Sequence, residues 1–338
     1  MIEKLFKNPL ALKRYRRFKA KKRSVISSWI LLIILFISIT AEFWANNKPI
    51  LLYYKHHLYA PVFFYYHPSL FGQKGFVTDY RKLELSEQDW SLWPPIRWGP
   101  NESNKSLEEY PSPPSSENLL GTDDRGRDVL TRLIYGFRYS FIFSILVWLG
   151  AFSIGIALGA FMGFFGGKVD LIGQRLVEIF ESLPYLLLLI TLISIFGANI
   201  WLLIIFSSLF GWMSICQYTR AEFLKLRKRE FVEAARALGV KRSKIIFRHV
   251  LPNALGPALT FSPFRIAISI YSLAILDFLG FGLPPPTPSW GELLQQAYKN
   301  FTIAWWLAVF PSMALFLTLV VLNLIGEGFR DAFDPHAS

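Results

Sequence analysis

Catalysis and ligation need groups that ionise, attack or coordinate, and this chain is poor in the imidazoles and thiols that most often do so. Its 338 residues include five histidines and one cysteine. Cys216 lies in an apolar block; alone, it cannot form an internal disulfide or complete a cysteine–histidine zinc spacing. His56, His57 and His67 stand in an aromatic segment, where adjacent histidines read as structural or surface groups and not as metal ligands. Gly166-Gly167-Lys168 lacks both the spacing of a phosphate loop and the Ser/Thr that follows its lysine. Neither G-x-S-x-G nor H-E-x-x-H occurs, so a membrane-embedded hydrolase would lack its nucleophile and base. The sequence therefore offers no catalytic residue, no cofactor site and no metal site.

Two ionisable residues interrupt one apolar run. Arg265 and Asp277 are twelve residues apart, about 18 Å along a helix and about 120° away from a shared face. A charge in hydrocarbon costs at least about 2.5–3.5 kcal/mol unless it faces a cavity or a partner. One reading neutralises each with a buried partner such as Glu178, Glu181 or a residue of a second subunit. The other lets Arg265, the deeper of the two, line a path and meet a carboxylate or phosphate, which suits its planar fork.

The elements that must position these residues are membrane helices. Hydrophobic residues make up 53% of the chain and charged residues 18%, and the apolar residues come in long blocks. Mean hydropathy is +0.35. Six spans are expected: Val25–Ala45, Tyr139–Phe165, Val177–Gly197, Ile200–Thr219, Asn253–Leu279 and Ala304–Gly326. The first is too long for a signal-peptide core and lacks its small-x-small end, so it reads as an uncleaved span. Gly155 and Gly159 form a GxxxG continued by Gly163, which allows close helix packing. Pro184 marks a kink or an entry break.

The net charge is +12. Its basic residues flank apolar blocks, which signals membrane orientation and not a nucleic-acid partner. Residues 1–24 hold ten basic residues against Glu3, and 217–252 hold ten against three acidic. The 46–138 and 280–303 segments balance to zero. The positive-inside rule then puts both basic segments and both termini in the cytoplasm. The resulting organisation is a basic N-terminus (1–24), a first span (25–45), a periplasmic aromatic and proline-rich segment (46–138), a five-helix core (139–326) with a cytoplasmic loop at 220–252, and a cytoplasmic C-terminus (327–338). The 46–117 part reads as an irregular loop, since its prolines block long helices.

The 220–252 loop reads as two short helices and a turn. Ala234, Ala235 and Ala237 favour helix. Gly239 stands where a left-handed cap is expected, Ser243 can cap the next helix, and Pro252 ends it. Small residues on such a helix suit docking into a partner groove, with Ala234 and Ala235 expected to face it.

Glu233-Ala234-Ala235-x3-Gly239 with Leu251-Pro252 resembles the EAA loop of ABC importer permeases. Arg248-His249-Val250-Leu251-Pro252-Asn253 resembles the peptide and nickel branch, whose generic relatives carry Ile at the place of His249. Asn118–Gly136, Gly280-x-Gly282 with Pro288-Ser-Trp-Gly291, and Gly326-Glu-x-x-Arg330-Asp-x-x-Asp334-Pro335 are similar to further segments of the same family. Together they cover roughly residues 115–336. The basic leader fits the C-type oligopeptide subunit, and Leu276–Gly282 with the aromatic outer segment is most similar to the microcin C/peptide permeases.

The resemblance implies a MetI-like, type I importer permease: an all-α membrane fold with six transmembrane helices and a periplasmic insertion after the first. It implies ATPase coupling through Glu233, Ala234, Ala235, Gly239, Leu251 and Pro252; the candidate substrate path, Arg265 and Asp277, rests on their charge within an apolar span and not on the resemblance. It also implies a homologous second permease, ABC ATPase subunits that bind ATP and Mg, and a periplasmic binding protein, all at the bacterial inner membrane. The cargo would be a peptide or peptide-like compound, with dipeptide and nickel transport as alternatives.

Overall fold

The computed structural model describes residues 9–333, and their side chains from residue 12 onward. Lys4, Lys7 and Glu3 of the basic leader, and Asp334 and Pro335 of the C-terminal motif, lie outside the described residues. The chain divides into two compact units. One comprises residues up to Leu32, Ser140–Pro284 and the segment from Leu315; the other comprises Ile33–Tyr139 and Pro285–Ala314.

The helices, in order, are α1 (Pro9–Ala20), α2 (Lys22–Ile39), α3 (Ala41–Trp44), α4 (Val129–Phe165), α5 (Gly167–Glu181), α6 (Tyr185–Phe196), α7 (Ile200–Gly211), α8 (Met213–Leu226), α9 (Glu230–Ala237), α10 (Arg242–Lys244), α11 (Leu251–Thr260), α12 (Ser262–Phe278), α13 (Trp290–Lys299) and α14 (Trp305–Phe333). Four segments are long and apolar enough to cross a membrane: Lys22–Ile39, Val129–Phe165, Ile200–Leu226 and Trp305–Phe333. Two bent pairs raise the number to six, with α5–α6 turning by 73° and Arg242–Thr260 with α12 by 49°. Counted as one span each, the bent pairs give the expected number, and all six segments have different ends from those expected. α4 starts at Val129 and not Tyr139, and α14 runs past Gly326 to Phe333. Pro184 sits at the α5–α6 break, where its fixed ring disfavours a continuous helix.

In the first unit the glycines of α4 form a ladder against α7 and α8. A Cβ at Gly150 would lie 2.5 Å from Ser208 Oγ, at Gly155 2.8 Å from the Trp212 carbonyl, at Gly159 2.5 Å from the Cys216 carbonyl and at Gly163 2.5 Å from Phe223 Cβ. Backbone therefore meets helix at contact distance, as the glycine spacing predicts. The C-terminal motif packs similarly: Gly326 faces the Phe264 ring and Gly328 faces Ser24, whose hydroxyl donates to the Leu324 carbonyl.

In the second unit the expected irregular loop contains a small antiparallel sheet of order β2-β1-β3, made of β1 (Leu51–Tyr54), β2 (His57–Tyr59) and β3 (Trp90–Leu92). Leu52 and Tyr54 of β1 pack with Phe71 and Tyr80 into a core of its own. Lys55 and His56 make the hairpin turn with φ of +49° and +61°. His67 caps the turn at Pro68–Phe71 by accepting from the Ser69 amide at 3.3 Å. The histidines thus have structural places, and among the described residues no His/Cys/Asp/Glu group has metal-holding geometry. The helical expectation holds for the spans, while the insertion adds β-structure.

Candidate coupling surface and buried charges

The coupling-loop candidate begins at α9. Glu230 and Glu233 fall in its first turn, where carboxylates complement the helix dipole. The end is a Schellman cap: Gly239 N–H donates to the Arg236 carbonyl and Val240 N–H to the Ala235 carbonyl, each at 3.0 Å. Gly239 has φ +73°, and a Cβ there would meet nothing within 4 Å, so backbone conformation alone calls for glycine.

Burial corrects the expected face. Ala235 is only 7% exposed and packs with Val232 into a cluster containing Ala160, Phe164, Phe223, Ile245, Val250 and Ala254. It supports the helix from beneath and does not face a groove. The open face carries Phe231 (43% exposed), Ala234 and Leu238 (83% exposed), an i, i+3, i+7 stripe. Glu233 is exposed, about 100° or more around the helix from each stripe residue. Sequence reasoning missed Phe231 and Leu238. The signal was present, since Val232 and Ala235 mark a buried face centred only about 100° around the helix from the stripe.

Two local expectations also change. α10 starts at Arg242 with Lys241 as its cap residue, and Ser243 lies inside the helix. Pro252 does not end the chain's helical path. A π-helical turn, Ile245–Val250, leads directly into α11, with Leu251 N–H donating to the Ile246 carbonyl and Pro252 in the first turn. A wider turn relieves the clash between a proline ring and the carbonyl four residues back. Leu251 packs on the same cluster as Ala235, whereas Pro252 is exposed.

Arg265 and Asp277 have separate environments. Arg265 Nη2 donates to the Gly211 carbonyl at 2.7 Å. Among the described residues no carboxylate lies within ion-pair distance of it. Glu178 pairs with Arg175, and Glu181 accepts from Gln217, so neither neutralises Arg265. Phe261, at the α11–α12 break, stacks on Tyr218 with ring centroids 4.5 Å apart. Asp277 is 7% exposed, and its Oδ1 accepts from the Leu283 amide at 2.6 Å. That bond ties the Gly280–Leu283 turn to α12, so Asp277 is a fold-holding residue here and not part of an open path.

The Asn118–Gly136 and Pro288–Gly291 motifs meet inside the second unit. Arg127 donates to Asp123 at 2.6 Å and to Glu292 at 3.0 Å, and Arg132 pairs with Glu292. Asp128 accepts from Asn118 and from the amide and hydroxyl of Thr131. Burial pushes its carboxyl above the ordinary value of 3.8 even against those bonds. Ser289 caps α13 by accepting from the Glu292 amide, and the Trp290 indole donates to the Leu133 carbonyl at 3.0 Å. A Cβ at Gly136 would lie 2.8 Å from that indole, so the motif's last glycine makes room for the motif tryptophan.

Residues 155–338 match the family model described as "Binding-protein-dependent transport system inner membrane component". The chain is 43% identical over 336 residues to the inner membrane ABC transporter permease protein YejE of Escherichia coli K12, covering 97% of this chain and 98% of that protein. It is 39% identical over 360 residues to the peptidoglycan transport system permease protein YejE of Agrobacterium fabrum C58, covering 97% and 93%. The oligopeptide transport system permease protein OppC of Haemophilus influenzae is 39% identical over 221 residues, covering 64% and 70%. The helical core, its broken spans and the turn-capped α9 thus belong to a multi-pass inner-membrane transport component. The chain is a member of the binding-protein-dependent ABC transporter permease family.

Proposed function

We propose that the chain is the C-type permease subunit of an ATP-driven importer of peptides or peptide-like compounds. It pairs with a homologous second permease. Separate ATPase subunits bind ATP and Mg, and a periplasmic binding protein delivers cargo. Both termini and the α9–α11 segment lie in the cytoplasm, on the side its excess of basic residues selects. Similarity to an oligopeptide permease over 64% of the chain, and to a peptidoglycan permease over 97% of it, supports this cargo class.

One observation carries the coupling role: the open Phe231–Ala234–Leu238 stripe on a helix whose adjoining face, Val232 and Ala235, is packed on the core. Such a stripe fits a groove on a partner, with i, i+3 and i+7 anchors. Closure of the ATPase pair on ATP moves the docked helix. Through the α4, α8 and α11 contacts of its cluster, that motion biases the inward- and outward-facing states. Gly239, Leu251 and Pro252 shape the segment, and Glu233 charges its first turn. Arg265, free of a carboxylate partner beside a helix break, is the group offered to an anionic end of the cargo.

Leu238→Asp tests this reading. The variant should reach the membrane at normal abundance, lose co-purification with the ATPase subunit and lose transport. Retained ATPase binding with full transport would refute a docking role for the stripe.

A further inference from the structure

The insertion carries a second apolar surface that neither coupling nor cargo accounts for. Phe63, Phe64, Phe76 (91% exposed) and Val77 (74% exposed) all project from residues 60–78, a stretch whose one charged residue is Lys74. They form one patch across two chain segments, because Tyr65 Oη donates to the Phe76 carbonyl at 2.6 Å and Thr78 Oγ1 to the Tyr66 carbonyl at 2.9 Å. The segment is anchored from behind, where Phe71 is buried against Leu52, Tyr54 and Tyr80. The exposed rings therefore belong to a folded platform.

Its position identifies what covers it. The Phe63 ring meets Phe43 of α3 edge-on, with centroids 5.6 Å apart. Phe43 continues an exposed apolar stripe, Ile33, Phe36, Ile39 and Phe43, along the end of the first span. Helical spacing puts these residues on one face, the face a span turns toward lipid. The patch is thus a lateral extension of a lipid-facing surface at the level where the span leaves the hydrocarbon. Aromatic rings are favoured at that depth, and exposed Lys74 is placed to reach lipid phosphates.

We propose that the insertion is a monotopic membrane anchor, with Phe63, Phe64, Phe76 and Val77 seated in the bilayer interface beside the first span. This inference rests on the membrane-spanning reading of α2 and is independent of cargo and of ATPase coupling. The patch holds the platform down against the lipid surface, so that the rest of the insertion faces water from a fixed height.

A nitroxide at Val77→Cys, with Cys216→Ala as background, reports the surroundings in the full complex reconstituted into lipid bilayers. Glu108→Cys, exposed elsewhere in the insertion, serves as the aqueous reference. At position 77 collisions with oxygen should exceed those with a water-soluble nickel chelate, and at position 108 the order should reverse. The aqueous order at 77 would overturn the proposal. Shielding of 77 from both reagents would also overturn it, in favour of a covering protein. Phe64→Asp with Phe76→Asp should switch position 77 to the aqueous order, and persistent lipid contact in that double variant would overturn the role given to the rings.

Discussion

Arg265 donates to the carbonyl of Gly211 across 2.7 Å, and that carbonyl can accept because α7 ends there. The last carbonyls of a helix have no intrahelical donor, and their partial negative charge suits a cation. A carbonyl carries no full charge, however, so the guanidinium retains unspent capacity for an anion. Arg265→Ala should leave assembly intact and reduce uptake of peptides with free C-termini by about tenfold or more, the worth of a hydrogen bond to a charged group. C-terminally amidated peptides should lose less, and Arg265→Lys should recover uptake only in part. Uptake into proteoliposomes with paired peptides checks this; failure to assemble would make the residue structural.

Gly239 and Ala235 should fail in different ways. Gly239→Val forces a β-branched residue to φ +73° with no new contact, a cost of about 1–2 kcal/mol of backbone strain. Gly239→Asn should be milder, because Asn tolerates that region. Ala235→Trp overfills a packed cluster and should lower abundance and melting temperature. Thermal melts beside ATPase-coupled transport distinguish the two: Gly239→Val should uncouple at modest loss of stability, and Ala235→Trp should destabilise first.

Gly159→Leu should be among the most damaging single changes in the core. Its Cβ would approach the Cys216 carbonyl to 2.5 Å, and backbone cannot swing aside as a flexible side chain can. The expected outcome is loss of folded protein in membranes. Normal abundance would mean that α4 and α8 separate easily.

Glu292→Ala should destabilise the second unit by about 3–5 kcal/mol, because the buried guanidiniums of Arg127 and Arg132 would be left with Asp123 as their one remaining carboxylate. Glu292→Gln should lie between. Limited proteolysis of the purified complex should show earlier cleavage within the insertion for both.

Sidedness has a direct check. Ser115→Cys should label from outside and Ser243→Cys only from inside, in a background where native Cys216 is buried. Labelling of both from one face would refute the six-span topology.

Long apolar runs made the spans readable, and the glycine spacing of α4 announced its close packing. Pro184 announced one bend. The bend at Phe261 had weaker signals, since Pro257 and Pro263 flank the break without occupying it. The sheet was hidden for a specific reason. Its strands are three or four residues long, and Lys55-His56 occupies a left-handed hairpin turn where Asn-Gly is the recognisable pair. Burial of Ala235 was implicit in the helical period shared with Val232, but the choice of inner face required its neighbours in space. The Arg127–Glu292 pair spans 165 positions, and no local pattern marks such partners.

The π-helical turn at Ile245–Val250 sets an angle as well as a path. Each residue of an α-helix advances about 100° around the axis, so a surplus residue in a turn rotates everything before it relative to everything after. Removing one residue from this turn would restore an ordinary helix and swing the α9 stripe about 100° around α11. The direction in which Phe231 and Leu238 point is therefore stored in the number of residues between Lys244 and Leu251. Chain length there is constrained even where residue identity is not.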